Sequence, residues 1–116
     1  MTIQYTNKGY KQADTNLNTV LTCPTDATVI VKSIYCANND ASSAILVNMS
    51  LVDSSDSSTE YEFFRDDVAA KTQVNASPQG INLEAGDSIK IQSATASNKI
   101  QGVISYAQID RSQENG

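Results

Sequence analysis

The chain has 116 residues, a net charge of −5 and no histidine or tryptophan. The length fits one domain, and the lack of histidine removes the commonest general base and zinc ligand. Lysine and arginine are scattered rather than clustered, which argues against binding to nucleic acid. No apolar run approaches the roughly 20 residues that span a bilayer, and residues 1–8 lack a hydrophobic signal region, so we expect no membrane partner.

The N-terminal segment, residues 1–17, is polar with widely spaced hydrophobic side chains. It fits either a loose arm with one short edge strand or an arm that docks on a neighbouring subunit. In the second interpretation, strand addition would cap a sheet edge on the neighbour and bury Ile3, Tyr5 and Tyr10.

The central part of the chain alternates as β-strands do. Residues 44–53 place Ile45, Val47 and Met49 on one face, which predicts a strand with one core face. The β-branched run 27–37 is apolar on both faces, as expected for a central strand, and its phase shift at 32–33 predicts a bulge.

The later segments add shorter strands and turns. Residues 59–64 predict a strand that leaves Phe64 on an acidic face, and residues 65–70 form the one plausible helical turn. In the stretch 81–91, Gly86 can supply a positive φ, and Asp87 can bond its own backbone two residues on.

These segments predict an all-β fold. About eight strands separated by turn signals indicate a single antiparallel β-sandwich, jelly-roll-like or immunoglobulin-like, with an extended N-terminal arm. The predicted division is an arm at 1–17, the sandwich at 18–110 and a C-terminal tail at 111–116.

The two cysteines, Cys23 and Cys36, are expected to be buried thiols rather than a disulfide. If residues 24–26 form a turn, Cys36 lies about nine residues along the next strand, roughly 30 Å away at about 3.3 Å per residue. A disulfide requires Cα atoms within about 7 Å.

Catalytic and metal-binding signals are weak. Asp66 and Asp67 are adjacent, so a strand would point them to opposite sides, and without histidine we expect no enzyme. The loops 53–56 and 38–40 offer oxygen ligands but not the dense carboxylates of a calcium site, so no metal or cofactor is predicted. Sugar binding usually relies on exposed aromatic side chains, and no cluster of them is evident.

Three segments carry a resemblance to a known group. The first, Leu21 to Asn38, is a turn followed by a β-branched strand. The second, Leu83-Glu-Ala-Gly-Asp-Ser-Ile-Lys-Ile91, is a turn that leads into a strand, and the third, Val103 to Ile109, belongs to the last strand. Over residues 18–110 this succession resembles small structural proteins of tailed bacteriophages, especially marine and cyanobacterial phages.

The resemblance implies a capsid decoration (cement) protein on the virion surface, assembled in the host cytoplasm. The implied partners are the major capsid protein and further copies of the chain, as a homotrimer, with no small-molecule substrate. The alternative is a tail, neck or fibre component, or a host-recognition adhesin. The expected contacts are Ile3, Tyr5 and Tyr10 in the arm and the polar loops around Asn39, Ser55 and Asn98.

Overall fold

A computed structural model describes residues 2–110, and it confirms the all-β antiparallel sandwich. No helix that could cross a membrane occurs in that range. The strands are β1 Thr2–Lys11, β2 Asn18–Thr22, β3 Ala27–Asn38, β4 Ile45–Asp53, β5 Thr59–Val68, β6 Gln73–Asn75, β7 Ile81–Leu83, β8 Ser88–Ser93 and β9 Ile100–Asp110. The predicted C-terminal tail lies outside the described residues.

The strands form two antiparallel sheets. The first sheet has the order β1-β9-β3, and both β6 and β7 pair with the far edge of β3. The second sheet has the order β2-β8-β4-β5. The core between the sheets is aliphatic and includes Ile34, Met49, Ile91 and Ile104, which are fully buried. Cys23 and Cys36 are buried there as thiols and not joined in a disulfide, which confirms the prediction from their spacing.

The predicted bulge in β3 is confirmed. The register between β3 and β9 shifts between Val31 and Ser33, so Lys32 is the extra residue. Val31 and Ile34 are both fully buried on either side of it. The bulge therefore keeps β3 facing the core although its apolar side chains change phase.

The predicted helical turn at 65–70 is wrong. Residues 65–68 continue β5, which pairs with β4 along the whole of both strands. A short helical preference is worth little beside a complete ladder of cross-strand contacts. The prediction that Phe64 is exposed on an acidic face is also wrong, because Phe64 is half-buried and packs against the core.

The N-terminal segment forms a long strand in the chain's own sheet. β1 pairs with β9 over its full length, from Thr2 opposite Asp110 to Lys11 opposite Gln101. Beyond the strand, the Gln12 side chain is buried and its Nε2 donates to the Ile91 carbonyl of β8 at 3.1 Å. This bond fixes the point at which the chain crosses to the second sheet.

The two ends of the sandwich carry different loops. At one end, buried Asp87 accepts hydrogen bonds from the backbone N–H groups of Ser54 and Glu84, both at 3.0 Å. Gly86 has a φ of +83° in the same turn. The carboxylate thus joins the β7–β8 turn to the β4–β5 connection, rather than bonding its own backbone two residues on. At the opposite end, the backbone N–H of Asn39 donates to the backbone carbonyl of Lys99 at 2.8 Å.

A candidate protein-interaction face

The side of the first sheet that faces away from the core is unusually apolar. Because side chains alternate along a strand, the β1, β9 and β3 residues paired as Tyr5–Ala107–Ile30 point outward together. Of the six exposed large hydrophobic side chains in residues 2–110, five lie on this surface, which we call the outer face. They are Ile3, Tyr5, Ile30, Tyr35 and Val103.

The charge of the outer face differs from that of the whole chain. Its outward positions on β1, β9 and β3 include Lys11 and Lys32 and no carboxylate, whereas the chain carries −5. The Lys32 Nζ lies 5.6 Å from the centroid of the Tyr5 ring, within the range of a cation–π contact. Tyr5 is nevertheless 76% exposed. A polar row, Asn7–Ser105–Ser33, divides the exposed hydrophobic side chains into two groups. Two exposed apolar groups on one face, beside cationic side chains, indicate a site for another macromolecule.

A groove indents the outer face at the end where Asn39 lies. It has a volume of about 680 Å³. Its walls include the Tyr35 ring and Val103, and its polar groups come from Lys11, Gln73 and Gln101. An aromatic ring beside amide groups can stack on and hydrogen-bond a polar ligand or a partner's side chain.

Tyr10 supports this groove from beneath. Its ring lies against Gly102, and its hydroxyl donates to the Tyr35 carbonyl at 2.8 Å, so it reaches from β1 across β9 to β3. Burial raises the pKa of Tyr10, with a smaller contribution from the neighbouring Cys36. Burial also raises the pKa of the Cys36 thiol. Both groups therefore stay neutral, and the hydrogen bond of Tyr10 joins β1 to β3.

The predicted contact residues lie in different parts of the structure. Ile3 and Tyr5 are exposed on the outer face, whereas Tyr10 is buried, and its ring forms part of the wall beneath the groove. Asn39 lines the groove, and Asn98 lies at the same end of the sandwich, where its backbone N–H donates to the Gln12 carbonyl.

Ser55 lies at the opposite end. Its backbone N–H and hydroxyl both donate to Asp53. The loops near Asn39 and Ser55 are therefore not parts of one site.

Sequence reasoning missed Ile30, Tyr35 and Val103 as members of the site. The signal was present in β3, where apolar residues occupy both faces. That pattern predicts a central strand, which β3 is, but it does not tell whether a second layer covers the outward side of the strand. In the structure only one face of β3 is covered, so Ile30 and Tyr35 are exposed at 39% and 44%.

The two acidic loops use their carboxylates to cap turns. Asp40 accepts hydrogen bonds from the amides of Ser42 and Ser43, which lower its pKa. Asp53 accepts one from the Ser55 amide at 3.0 Å. Within residues 2–110, no group of three histidine, cysteine or acidic side chains is placed to hold a metal ion.

No family model matches this chain, and no curated protein matches it. Solved structures do share its fold. A chain from the acid-stable capsid of Helicobacter pylori bacteriophage KHP30 aligns with a TM-score of 0.59 and 13% identity, over 97% of this chain and 90% of that one.

A subunit of the disulfide-linked pili that are Bacillus endospore appendages aligns with a TM-score of 0.54 and 10% identity, over 96% and 88% of the two chains. A pentameric capsid protein from metagenomic phage sequences is more distant, at 0.43. The chain thus has a fold found in capsid and pilus subunits. At these identities the likeness shows the fold alone, and disulfide linkage is not carried over because both cysteines here are buried.

Proposed function

We propose that this chain is a structural virion protein of a tailed phage, and specifically a capsid decoration protein that binds the outside of the major capsid shell and stabilises it. The observation that carries the proposal is the outer face, where five large hydrophobic side chains are exposed beside two lysines and no carboxylate. The fold likeness to a chain of a phage capsid supports it, as does the sequence resemblance. We expect no enzymatic activity and no cofactor.

The outer face suits repeated attachment to a large surface. Burying an exposed tyrosine or isoleucine contributes about 1.5–3 kcal/mol before the costs of ordering, so a few such side chains give one copy modest affinity. Copies joined as a homotrimer would bind much more tightly than one alone. In this proposal Ile3 and Tyr5 contact the shell directly, and the loops around Asn39 and Asn98 contact it at the rim of the groove.

The test is a binding assay on capsids assembled without the protein. The double variant Ile30→Thr/Tyr35→Ser removes apolar area from the outer face without touching a buried side chain. We expect at least a tenfold loss of occupancy at sub-saturating concentration, and loss of the protection that wild-type protein gives the capsid against heat.

The matched control is Tyr61→Ser, because Tyr61 is 49% exposed but lies on β5 in the other sheet. We expect this variant to occupy the capsid as wild-type protein does. Equal occupancy by the Ile30→Thr/Tyr35→Ser variant would contradict the assignment of the outer face.

A second candidate is a tail, neck or fibre component, including a host-recognition adhesin. The groove favours it, because the Tyr35 ring with the amides of Gln73 and Gln101 can hold a sugar. Copy number per virion separates the candidates. Hundreds of copies support decoration, whereas a handful, together with binding of host glycans that Tyr35→Ser abolishes, supports the adhesin.

A further inference from the structure

We propose that copies of this chain assemble side by side, with β1 of one copy pairing with β5 of the next. β1 and β5 are edge strands of different sheets and have the same length, ten residues each. Within the described part of the chain, β1 pairs with β9 alone and β5 with β4 alone. Each strand therefore presents one edge on which another strand can add.

The two strands carry opposite charge. β1 has Lys8 and Lys11 and no acidic residue, which gives +2. β5 has four carboxylates against one guanidinium, which leaves −3. Lys8 and Lys11 are exposed, as are Asp66 and Asp67. None of these four forms an ion pair between residues 2 and 110, so their charges are available to a partner.

The geometry places these charges at the same level of the molecule. Lys11, at the end of β1, pairs with Gln101. The carbonyl of Val68, at the end of β5, accepts a hydrogen bond from Asn38. The charged ends of β1 and β5 therefore both lie at the end of the sandwich that contains Asn39. They lie on opposite sides there, because the chain after β1 contacts β8 through Gln12 whereas β5 reaches the end of β3. Side-by-side copies in the same orientation bring Lys8 and Lys11 next to Asp66 and Asp67.

Strand direction agrees with this arrangement. Both β1 and β5 run toward the Asn39 end, so copies related by rotation about an axis along the sandwich pair them in parallel. A bulge where the β4–β5 register shifts between Met49 and Ser50 interrupts β5. We assign the pairing to the part beyond it, residues 65–68, where Asp66 and Asp67 form no ion pair within residues 2–110 and Arg65 is bound to Glu62.

The charges of the two strands favour pairing of β1 with β5 over pairing of β1 with β1 or of β5 with β5. Pairing β1 with β1 would join two strands of charge +2, and pairing β5 with β5 would join two strands of charge −3, so like charges repel in both cases. Because β1–β5 pairing joins two different surfaces, repetition closes a ring or extends a filament. The proposed trimer is one such ring.

This inference adds an assembly interface to the proposed function but does not require capsids for its test. The free backbone edges of β1 and β5 lie at the sides of the sheets, and of the four charged residues assigned to them Lys11 alone also lies on the outer face. Failure of self-association would leave the decoration role standing, and failure of capsid binding would leave the interface standing.

The experiment is sedimentation velocity of purified protein over a concentration series. We expect wild-type chains to associate, and the association to weaken at least tenfold between about 0.05 M and 0.5 M NaCl. The variants Lys8→Glu/Lys11→Glu and Asp66→Lys/Asp67→Lys should each sediment as monomers. An equimolar mixture of the two should associate again, as heterodimers or alternating open oligomers rather than closed trimers. The reversed β1 of one variant meets the reversed β5 of the other, whereas a trimeric ring would always contain one contact between like charges.

The matched control is Asp26→Lys/Glu84→Lys, which changes the net charge as much as the β5 variant does but at exposed positions outside both strands. It should associate like wild type. Circular dichroism checks that every variant is folded. A monomeric wild type, reversed variants that still associate, or a mixture that stays monomeric while both components are folded would each overturn the proposal.

Discussion

The ring of Tyr10 on β1 occupies the space above Gly102 on β9. A Cβ at position 102 would lie 2.6 Å from the Tyr10 hydroxyl oxygen and 1.8 Å from the Tyr35 carbonyl oxygen. Three strands therefore meet at a point where only glycine fits. The groove of the outer face depends on this contact, because Tyr10, Tyr35 and Gly102 all line it.

Replacing Gly102 with alanine should destabilise the fold by about 3 kcal/mol, since the new methyl group collides with backbone as well as with the Tyr10 ring. Urea unfolding measured by circular dichroism gives the free energy. The control is Gly9→Ala in the neighbouring strand, where the nearest atom to an added Cβ, apart from chain neighbours, is 3.8 Å away. Equal stability of the two variants would show that the crowding at Gly102 is relieved without cost.

Removing the Tyr10 hydroxyl should cost about 1 kcal/mol, because Tyr10→Phe keeps the ring but deletes the bond to the Tyr35 carbonyl. Tyr5→Phe is the matched change on the same strand, and it should leave the free energy of unfolding unchanged because Tyr5 is largely exposed. If Tyr10→Phe unfolds at the wild-type urea concentration, the hydrogen bond contributes nothing.

Alkaline pH should destabilise the protein through Cys36. Burial raises the pKa of this thiol in the folded state above its unfolded value of about 8.5. Its stabilising contribution is therefore complete below that value and is lost as pH rises toward the folded pKa, because the unfolded chain releases the proton first.

Urea unfolding at several pH values between about 7 and 9.5, below the ordinary titration of tyrosine, measures this effect. Cys36→Ala should unfold more easily at neutral pH, since it leaves a small cavity, but its stability should depend less on pH. If the free energy of unfolding of Cys36→Ala depends on pH as that of the wild type does, the loss of stability at alkaline pH comes from another group.

Replacing Asp87 with asparagine should cost about 1–3 kcal/mol, because one acceptor oxygen must replace two that hold the amides of Ser54 and Glu84. Asp26→Asn is the control, since Asp26 is exposed at the same end of the sandwich. Thermal unfolding of both variants compares them, and equal melting temperatures would mean that water replaces the lost bonds.

Local pattern was sufficient to predict the strands that bury one face. The alternation Ile45, Val47 and Met49 and the phase shift at Lys32 both appear in the structure as predicted. These features depend on side chains that must face one core, and the resulting alternation of apolar and polar residues can be recognised in the sequence.

The remaining features depend on residues distant in sequence. β1 lacks inward apolar residues except Tyr10, so nothing local predicts ten residues of ladder against β9. The outer face is assembled from β1, β3 and β9, and its exposure follows from the absence of a covering layer. No window of sequence contains that information.

The pairing of the first strand with the last also affects how the chain folds during its synthesis. Asn7 and Ser105, whose side chains are hydrogen-bonded, are 98 residues apart. At the usual speed of translation, roughly 5–20 s pass between the synthesis of β1 and that of β9. During this delay a nascent chain holds β1 unpaired while the β4–β5 hairpin of its second sheet can already form. Neighbouring nascent chains on one message could exchange their first strands, so expression at high density should favour strand-swapped assemblies over the same protein refolded in dilute solution.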